Sequence, residues 1–403
     1  MRILHTSDWH VGKRLGRFDR TDEYAAVIDE VVEIAEAESA DLVLHSGDLF
    51  DRASPPVEAI RLALTGLVRL AAGGRRPVVV VAGNHDSGDL FEVLAPYLAG
   101  FGVHLVGRIK APDAGGVLAL DTPGGAARIG CFPFLKAAQA VDFMERAEGW
   151  YRKYADRVRR ISETYAAAVT SADDAVGLLV GHFMVGGVTV RRGVPRGERE
   201  LHMGEAYAAT AEAVPTTLDY VALGHIHAPQ PVPGSGVPAE YAGSLLQLDF
   251  GESGEEKRVV LVEADPGVPA AVRSIPVTAG RRLERVRGRW GVIEARADLD
   301  HAYLDLVVET DGPDPELVDR ARDRFSWVVK VQAEYDRPDA GDVPAADRPL
   351  DELYADFHVV EHGEPLPDAS RAVFTELEEL EVDLVDTLDV VLDVERAVRG
   401  EPA

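Results

Sequence analysis

The sequence predicts a layered α/β fold, followed by a small α+β module and a helical C-terminal segment. Up to about residue 275, short β-rich runs alternate with longer stretches of helical periodicity, the pattern of strands and covering helices in one domain. Pro276 to Gly280 interrupts that alternation, and a strand–helix–strand pattern follows it. The 403 residues leave room for two or three domains at about 150 residues each. A composition of 46% hydrophobic and 28% charged residues fits a globular protein and argues against a disordered or fibrous one.

The expected strands are Arg2–Thr6, Asp41–His45, Pro77–Val81, Arg128–Phe132, Gly177–Val180, Tyr220–Leu223 and Arg258–Val262. Thr21–Glu38 reads as a helix because Ala26, Val27, Val31 and Ile34 recur at helical spacing. Residues 136–175 read as a helical insertion. Beyond the break, strands near Tyr303–Val308 and Trp327–Gln332 flank a helix near Pro315–Arg324. Arg337–Pro349, rich in Pro, Asp, Ala and Gly, reads as a linker. Past it, Leu377, Leu380, Leu384, Leu388 and Val391 lie three or four apart with acids between them, an amphipathic helix. Three parts are therefore expected: 1–276, 281–336 and 350–403.

Lys and Arg total 42 against 69 Asp and Glu, a formal net charge of -27. That argues against coating nucleic acid by bulk charge. Local basic clusters and bound cations can still draw phosphate into an acidic molecule, which leaves room for a nuclease. Residues 351–403 hold 16 acidic and 3 basic side chains, so this end is not expected to touch DNA. Cys131 is the only cysteine, so any metal must be held by His, Asp, Glu or Asn. No apolar run approaches the roughly 18 residues of a membrane span, and MRILHTSDWH lacks the apolar core of a signal peptide. A cytoplasmic protein beginning at Met1, with no membrane partner, is expected.

Five motifs fall at or just past the C-terminal ends of expected strands: Asp8-Trp9-His10, Gly47-Asp48-Leu49-Phe50-Asp51, Gly83-Asn84-His85-Asp86, Gly181-His182 and Gly224-His225-Ile226-His227. Loops at the carboxyl ends of strands are where α/β proteins place ligands, and glycine lets the chain turn sharply there. The motifs should converge in space although more than 200 residues separate the first from the last. Any one of them alone reads as a turn or a polar pair, but five in this order point to a metal site. Carboxylate, imidazole and amide ligands without thiolate suit manganese, iron or zinc rather than calcium.

In these motifs the sequence resembles the calcineurin-like metallophosphoesterases, whose pattern DxH, GDxxD, GNHD, GH and GHxH is complete and in order within residues 1–265. Within that family it is similar to the SbcD-type recombination nucleases, bacterial subunits that work with an SMC-like ATPase. The similarity lies in MRILHTSDWHVGKRL, GDLFDRASPP, RGERELHMG, DYVALGHIHAPQ, YAGSLLQLDFGE and LDELYADFHVVEHGEPLP. The resemblance implies a four-layer α/β/β/α metallophosphoesterase sandwich, a capping and DNA-binding domain over 281–336, and a partner-binding helical segment over 350–403.

It implies one metal held by Asp8, His10, Asp48 and His227, and a second held by Asp48, Asn84, His182 and His225, with Asp48 bridging. Two divalent ions, manganese by preference and magnesium, iron or zinc otherwise, would activate water, polarise the phosphodiester and stabilise the attacking and leaving oxygens. His85 would protonate or stabilise the leaving oxygen, and Asp86 would orient His85 and set its tautomer. Some members carry a histidine where this chain has Asp51, so Asp51 is expected behind the ligands rather than among them. The implied activity is double-strand exonuclease and single-strand or hairpin endonuclease, with an SbcC-like ATPase, in DNA repair, recombination and replication. A homodimer within a heterotetramer goes with it.

The remaining histidines, His5, His45, His104, His202, His301, His358 and His362, read as structural or solvated, and Trp9 as core. Lys13, Arg14 and Arg17, joined by Arg20, follow the ligand His10 and are the leading candidates for phosphate contact. Clusters beginning at Arg152, Arg191 and Arg281 are as well explained by a solvated surface. A small-molecule phosphodiesterase or protein phosphatase could carry the same active-site residues. A scaffold that has lost catalysis should lack ligands, and none of the seven is missing.

Overall fold

A computed structural model describes residues 1–135, 147–171, 174–188 and 208–335, with a few positions between 352 and 367. The first part of the expected insertion, the RGERELHMG stretch with the cluster beginning at Arg191, the linker and the amphipathic tail helix lie outside the described residues.

In chain order the elements are β1 (Arg2–Thr6), α1 (Thr21–Ala37), β2 (Leu42–His45), α2 (Val57–Leu70), β3 (Val78–Val81), α3 (Gly88–Ala99) and β4 (Val103–Val106), then β5 (Val117–Thr122), β6 (Gly125–Phe132), α4 (Ala147–Val169), β7 (Val176–His182), β8 (Met184–Val185) and β9 (Ala208–Ala209). There follow β10 (Tyr220–Gly224), β11 (Gln230–Pro231), β12 (Ala239–Tyr241), β13 (Arg258–Asp265), β14 (Val268–Pro276), β15 (Leu283–Arg289), α5 (Trp290–Ile293), β16 (Tyr303–Glu309), α6 (Leu317–Arg324) and β17 (Val328–Glu334).

Two six-stranded sheets, β14-β13-β1-β2-β3-β4 and β11-β12-β10-β7-β6-β5, form the middle of the sandwich. Alternation along each strand sends side chains to opposite faces, and both faces are buried. Ile3, Leu44, Val79 and Val81 of the first sheet share one core with Ile129, Leu178, Val180 and Ala222 of the second. Their neighbours Leu4, Val43, Val78 and Val80 pack instead with Val27, Ala63 and Phe91 of α1, α2 and α3. On the far side Phe132, Leu179 and Val221 pack with Tyr154, Val158 and Tyr165 of α4. The layers are therefore α/β/β/α.

β1, β2, β3 and β4 run parallel to one another, and so do β6, β7, β10 and β12, so the C-terminal ends of β1, β2 and β3 share one edge, as do those of β7 and β10. Among the described residues, Met1–Arg285 with Asp298–Asp305 forms one compact unit, and Val286–Ala297 with the described residues from Leu306 onward forms a second. In the second, Leu317 and Ala321 bury one side of α6.

Candidate metal centre

The five motifs meet at these strand ends, and the backbone there is strained. Non-glycine residues rarely take positive φ, at a cost of about 1–3 kcal/mol each. Yet Asp8, His10, Asp48 and His225 do so, at 48°, 49°, 52° and 92°. The glycines between them permit the close approach. A Cβ at Gly83 would stand 2.1 Å from Asp48 Oδ1, one at Gly47 2.3 Å from His182 Nδ1, and one at Gly224 2.2 Å from the Ser46 carbonyl.

Asp48 Oδ2 lies 3.5 Å from His10 Nε2 and 3.3 Å from His182 Nε2, between the two expected ligand sets. Asp8, His10 and His227 bring ligand atoms within 4.8 Å of one another, and so do Asp8, Asp48 and His182. Asn84 Oδ1 is 2.9 Å from both His182 Nε2 and His225 Nδ1. All seven residues expected as ligands thus stand in one connected cluster.

The donors suit a cation. His182 Nδ1 donates to the Ser46 carbonyl at 2.8 Å, which turns Nε2 toward two oxygens, Asp48 Oδ2 and Asn84 Oδ1, where a proton or a cation belongs. Both ring nitrogens of His10 are buried without a hydrogen-bond partner, an arrangement that is costly unless an ion is bound. Asp8 and Asp48 are fully buried, and uncompensated carboxylates cost several kcal/mol each to desolvate. The pocket pulls in positive charge. Burial pushes His182 down, but the Asp48 carboxylate outweighs it and holds His182 at about 9. Burial pushes His225, near the positive charge of His182, down to about 3. A divalent ion would compete for the same lone pairs as those protons.

Two expectations about the catalytic pair part company. The His85 amide donates to Asp48 Oδ1 at 2.8 Å, and its ring Nδ1 donates to the Asp51 carbonyl at 2.8 Å, with the His85 ring 4.7 Å from that of His10. Asp86, expected to orient that ring, does not. Its carboxylate is buried and accepts from the amides of Gly83, Leu49 and Phe50 at 2.9, 3.1 and 2.9 Å, so it ties the Asn84 loop to the Asp48 loop. Burial and the Asp48 charge push Asp86 up to about 7 against those three donors. The Asp51 carboxylate lies 3.7 Å from His10 Nδ1 and 3.4 Å from Lys13 Nζ, and His10, Asp51 and His85 also bring ligand-type atoms within 4.8 Å of one another.

Two nearby residues were not singled out from the sequence, although the first closes the YAGSLLQLDFGE stretch. Glu252 accepts from His227 Nδ1 at 2.9 Å, and Phe134 stacks on the His225 ring with centroids 5.9 Å apart. Trp9 is fully buried with Nε1 on Thr6 Oγ1, out of reach of any base. Of the basic candidates, Lys13 is half-buried at Asp51, while Arg14 and Arg17 are exposed at the surface. Arg281 donates to the His301 carbonyl, and Arg282, Arg285, Arg287 and Arg289 each face an acid.

Residues 1–229 match the calcineurin-like phosphoesterase family. Over 396 residues the chain is 30% identical to the SbcD subunit of the nuclease SbcCD from Bacillus subtilis, covering 94% of this chain and 97% of that one. It is 32% identical to the protein of the same name from Rhodobacter capsulatus over 327 residues, 78% of each chain. Among solved structures, a dimetal phosphatase from Danio rerio aligns at 12% identity and a TM-score of 0.41, covering 70% of this chain and 99% of that one. The chain belongs to the calcineurin-like phosphoesterases and, within them, to the SbcD family of nuclease subunits.

Proposed function

We propose that the chain is a metal-dependent DNA nuclease, an exonuclease on double-strand ends and an endonuclease on single strands and hairpins. The observation that carries this reading is the convergence of seven ligand-type residues on one partly buried cluster in a chain that matches an SbcCD nuclease protein along nearly its whole length.

Asp8, His10, Asp48 and His227 would hold one divalent ion, and Asp48, Asn84, His182 and His225 a second, manganese by preference. When bound, such ions supply Lewis acidity toward the phosphodiester and a nucleophile at neutral pH. The chain's own groups do the rest. His85, anchored through Nδ1, presents Nε2 to the leaving oxygen and can carry a proton to it. Asp51 holds both that ring, through its carbonyl, and Lys13, through its carboxylate. Lys13, Arg14 and Arg17 would bind backbone phosphates without reading sequence.

The two relatives are named as parts of a complex, which supports an SbcC-like ATPase partner here and a role in DNA repair and recombination. Residues 281–336 would cap the nuclease domain, and 350–403 would grip the partner through an acidic amphipathic helix. A homodimer is supported by apolar side chains exposed on and beside α3, Val93 (63%), Tyr97 (75%) and Phe101 (52%). No helix among the described residues is long and apolar enough to cross a membrane, and a cytoplasmic location goes with a DNA substrate.

The deciding assay uses duplexes labelled at the 5′ or the 3′ end, with Mn²⁺, with and without the ATPase. Shortening of the duplex supports the nuclease, whereas hydrolysis of cyclic nucleotides with intact DNA would favour a small-molecule phosphodiesterase. A chain truncated after residue 350 should keep duplex cleavage and lose co-purification with the ATPase.

A further inference from the structure

The loop from Ser244 to Lys257 grips His227 from behind. Glu252, 7% exposed, accepts from His227 Nδ1 at 2.9 Å through one oxygen. Through the other it accepts from the Leu248 amide at 3.0 Å, Lys257 Nζ at 2.7 Å and, more weakly, Ser244 Oγ at 3.4 Å. Lys257, 6% exposed, donates again to the His227 carbonyl at 3.2 Å and to Glu255 at 2.8 Å. One buried ion pair therefore holds both the ring and the backbone of a single histidine. His182 and His85 turn Nδ1 to backbone carbonyls instead.

We propose that Glu252, held by Lys257, is the positioning residue of His227. It keeps the Nε2 lone pair directed at the end of the centre formed with Asp8 and His10, and thereby sets cation affinity at that end more than at the end formed with Asn84, His182 and His225. The proposal rests on the reading of this cluster as a two-cation centre.

Donation from Nδ1 to a carboxylate leaves Nε2 as the nitrogen with a lone pair, and a ring flip would break that bond. The carboxylate also makes the imidazole a better electron donor than a peptide carbonyl does. A buried ion pair carries a desolvation penalty that an apolar pair of similar size would not incur. Packing alone does not account for it, whereas a ligand that needs one tautomer and one orientation does. His227 needs such support because it lies in a loop after β10, with its side chain 21% exposed, whereas that of His182 is fully buried at the end of β7.

The test titrates metal-free, full-length protein with Mn²⁺ by calorimetry and follows folding by thermal melting without metal. Glu252→Ala leaves Lys257 with Glu255 as its one carboxylate and could loosen the loop, so it is paired with Glu252→Ala/Lys257→Met, in which the melting temperature reports the cost of leaving Glu255 without Lys257. The wild type should show two binding steps. In the double variant one step should weaken by about 10–100-fold while the other stays within about threefold. Glu252→Gln in the Lys257→Met background keeps an acceptor for Nδ1–H and should recover part of the loss, a rescue that a merely structural role would not produce. Two unchanged steps, or equal loss of both with a lowered melting temperature, would overturn the proposal. A wild type that binds no Mn²⁺ would instead overturn the reading of the cluster as a metal centre.

Discussion

His85 donates through Nδ1 to the backbone carbonyl of Asp51 at 2.8 Å, across the tips of two loops that follow different strands. A carbonyl holds the tautomer as a carboxylate would, but it cannot be removed by mutating Asp51. His85→Gln should therefore lower duplex cleavage by about 10²–10⁴-fold, with Mn²⁺ binding and DNA affinity kept within a few-fold. Loss of Mn²⁺ binding in this variant would show that His85 is a ligand.

Asp86 should behave differently from its neighbour. Its two oxygens take three amide donors, and an asparagine there would turn an NH₂ group toward at least one of them. Leaving a buried donor unsatisfied costs about 1–3 kcal/mol. Asp86→Asn should lower the melting temperature of the metal-free protein and weaken Mn²⁺ binding, equally in wild-type and His85→Gln backgrounds. A variant that melts normally and loses only turnover would return Asp86 to the role of orienting His85.

Acid stability follows from His5, which sits between the sheets with Nδ1 at Tyr220 Oη and Nε2 at Ser46 Oγ, each 2.9 Å away. Burial, then the charge of Arg258, lowers it from 6.5 to about 3. Between those values the unfolded chain binds a proton that the folded one refuses. Stability from this group is therefore full above pH 6.5 and lost as pH falls toward about 3. The slope is about 1.4 kcal/mol per pH unit for one such group. Urea melts in EDTA at a series of pH values should show a shallower acid slope for His5→Gln, and an unchanged slope would mean that His5 is protonated in the fold.

Salt dependence locates the DNA path. Each phosphate contact contributes about 0.9 to the slope of log K against log salt. Alanine at Lys13, Arg14 and Arg17, which follow His10 directly in the chain, should flatten that slope more than alanine at Arg282, Arg287 and Arg289, although Lys13 and Arg14 face acids (Asp51 and Asp19) just as the second set does. Equal effects would place phosphates along the second set too.

What was legible in the sequence and what was not have physical reasons. Pro77–Val81 reads as a strand and Val78–Val81 is one, because a strand buried on both faces is a continuous apolar run. Val268–Pro276 went unread, since two prolines and an arginine mark an edge strand that pairs with β13 alone. The seven expected ligands were legible as a set because four of the five motifs that hold them place a glycine directly before the first ligand-type residue at a strand end. Asp86 was misread as the partner of His85 because adjacency in sequence says little about direction in a tight loop. Glu252 was invisible as a partner, as 25 residues separate it from His227 and a contact between loops leaves no spacing to read.

The glycine offsets yield the most exacting prediction. Gly83 has no positive φ, so alanine is acceptable to its backbone, and only the space is in question. There a Cβ would lie 2.1 Å from Asp48 Oδ1 and 2.3 Å from the Asp48 amide, far inside van der Waals contact. One of those atoms is backbone in a residue already at φ 52°, so it cannot move aside as a flexible side chain would. The Asp48 carboxylate is the part that can yield, and it sits between His10 and His182. Gly83→Ala should therefore weaken Mn²⁺ binding at both ends of the centre, cut turnover and lower the melting temperature. Gly100→Ala, where a Cβ meets nothing within 4 Å, is the matched control and should leave all three unchanged. Two tight Mn²⁺ sites in Gly83→Ala would mean that Asp48 does not stand between the cations.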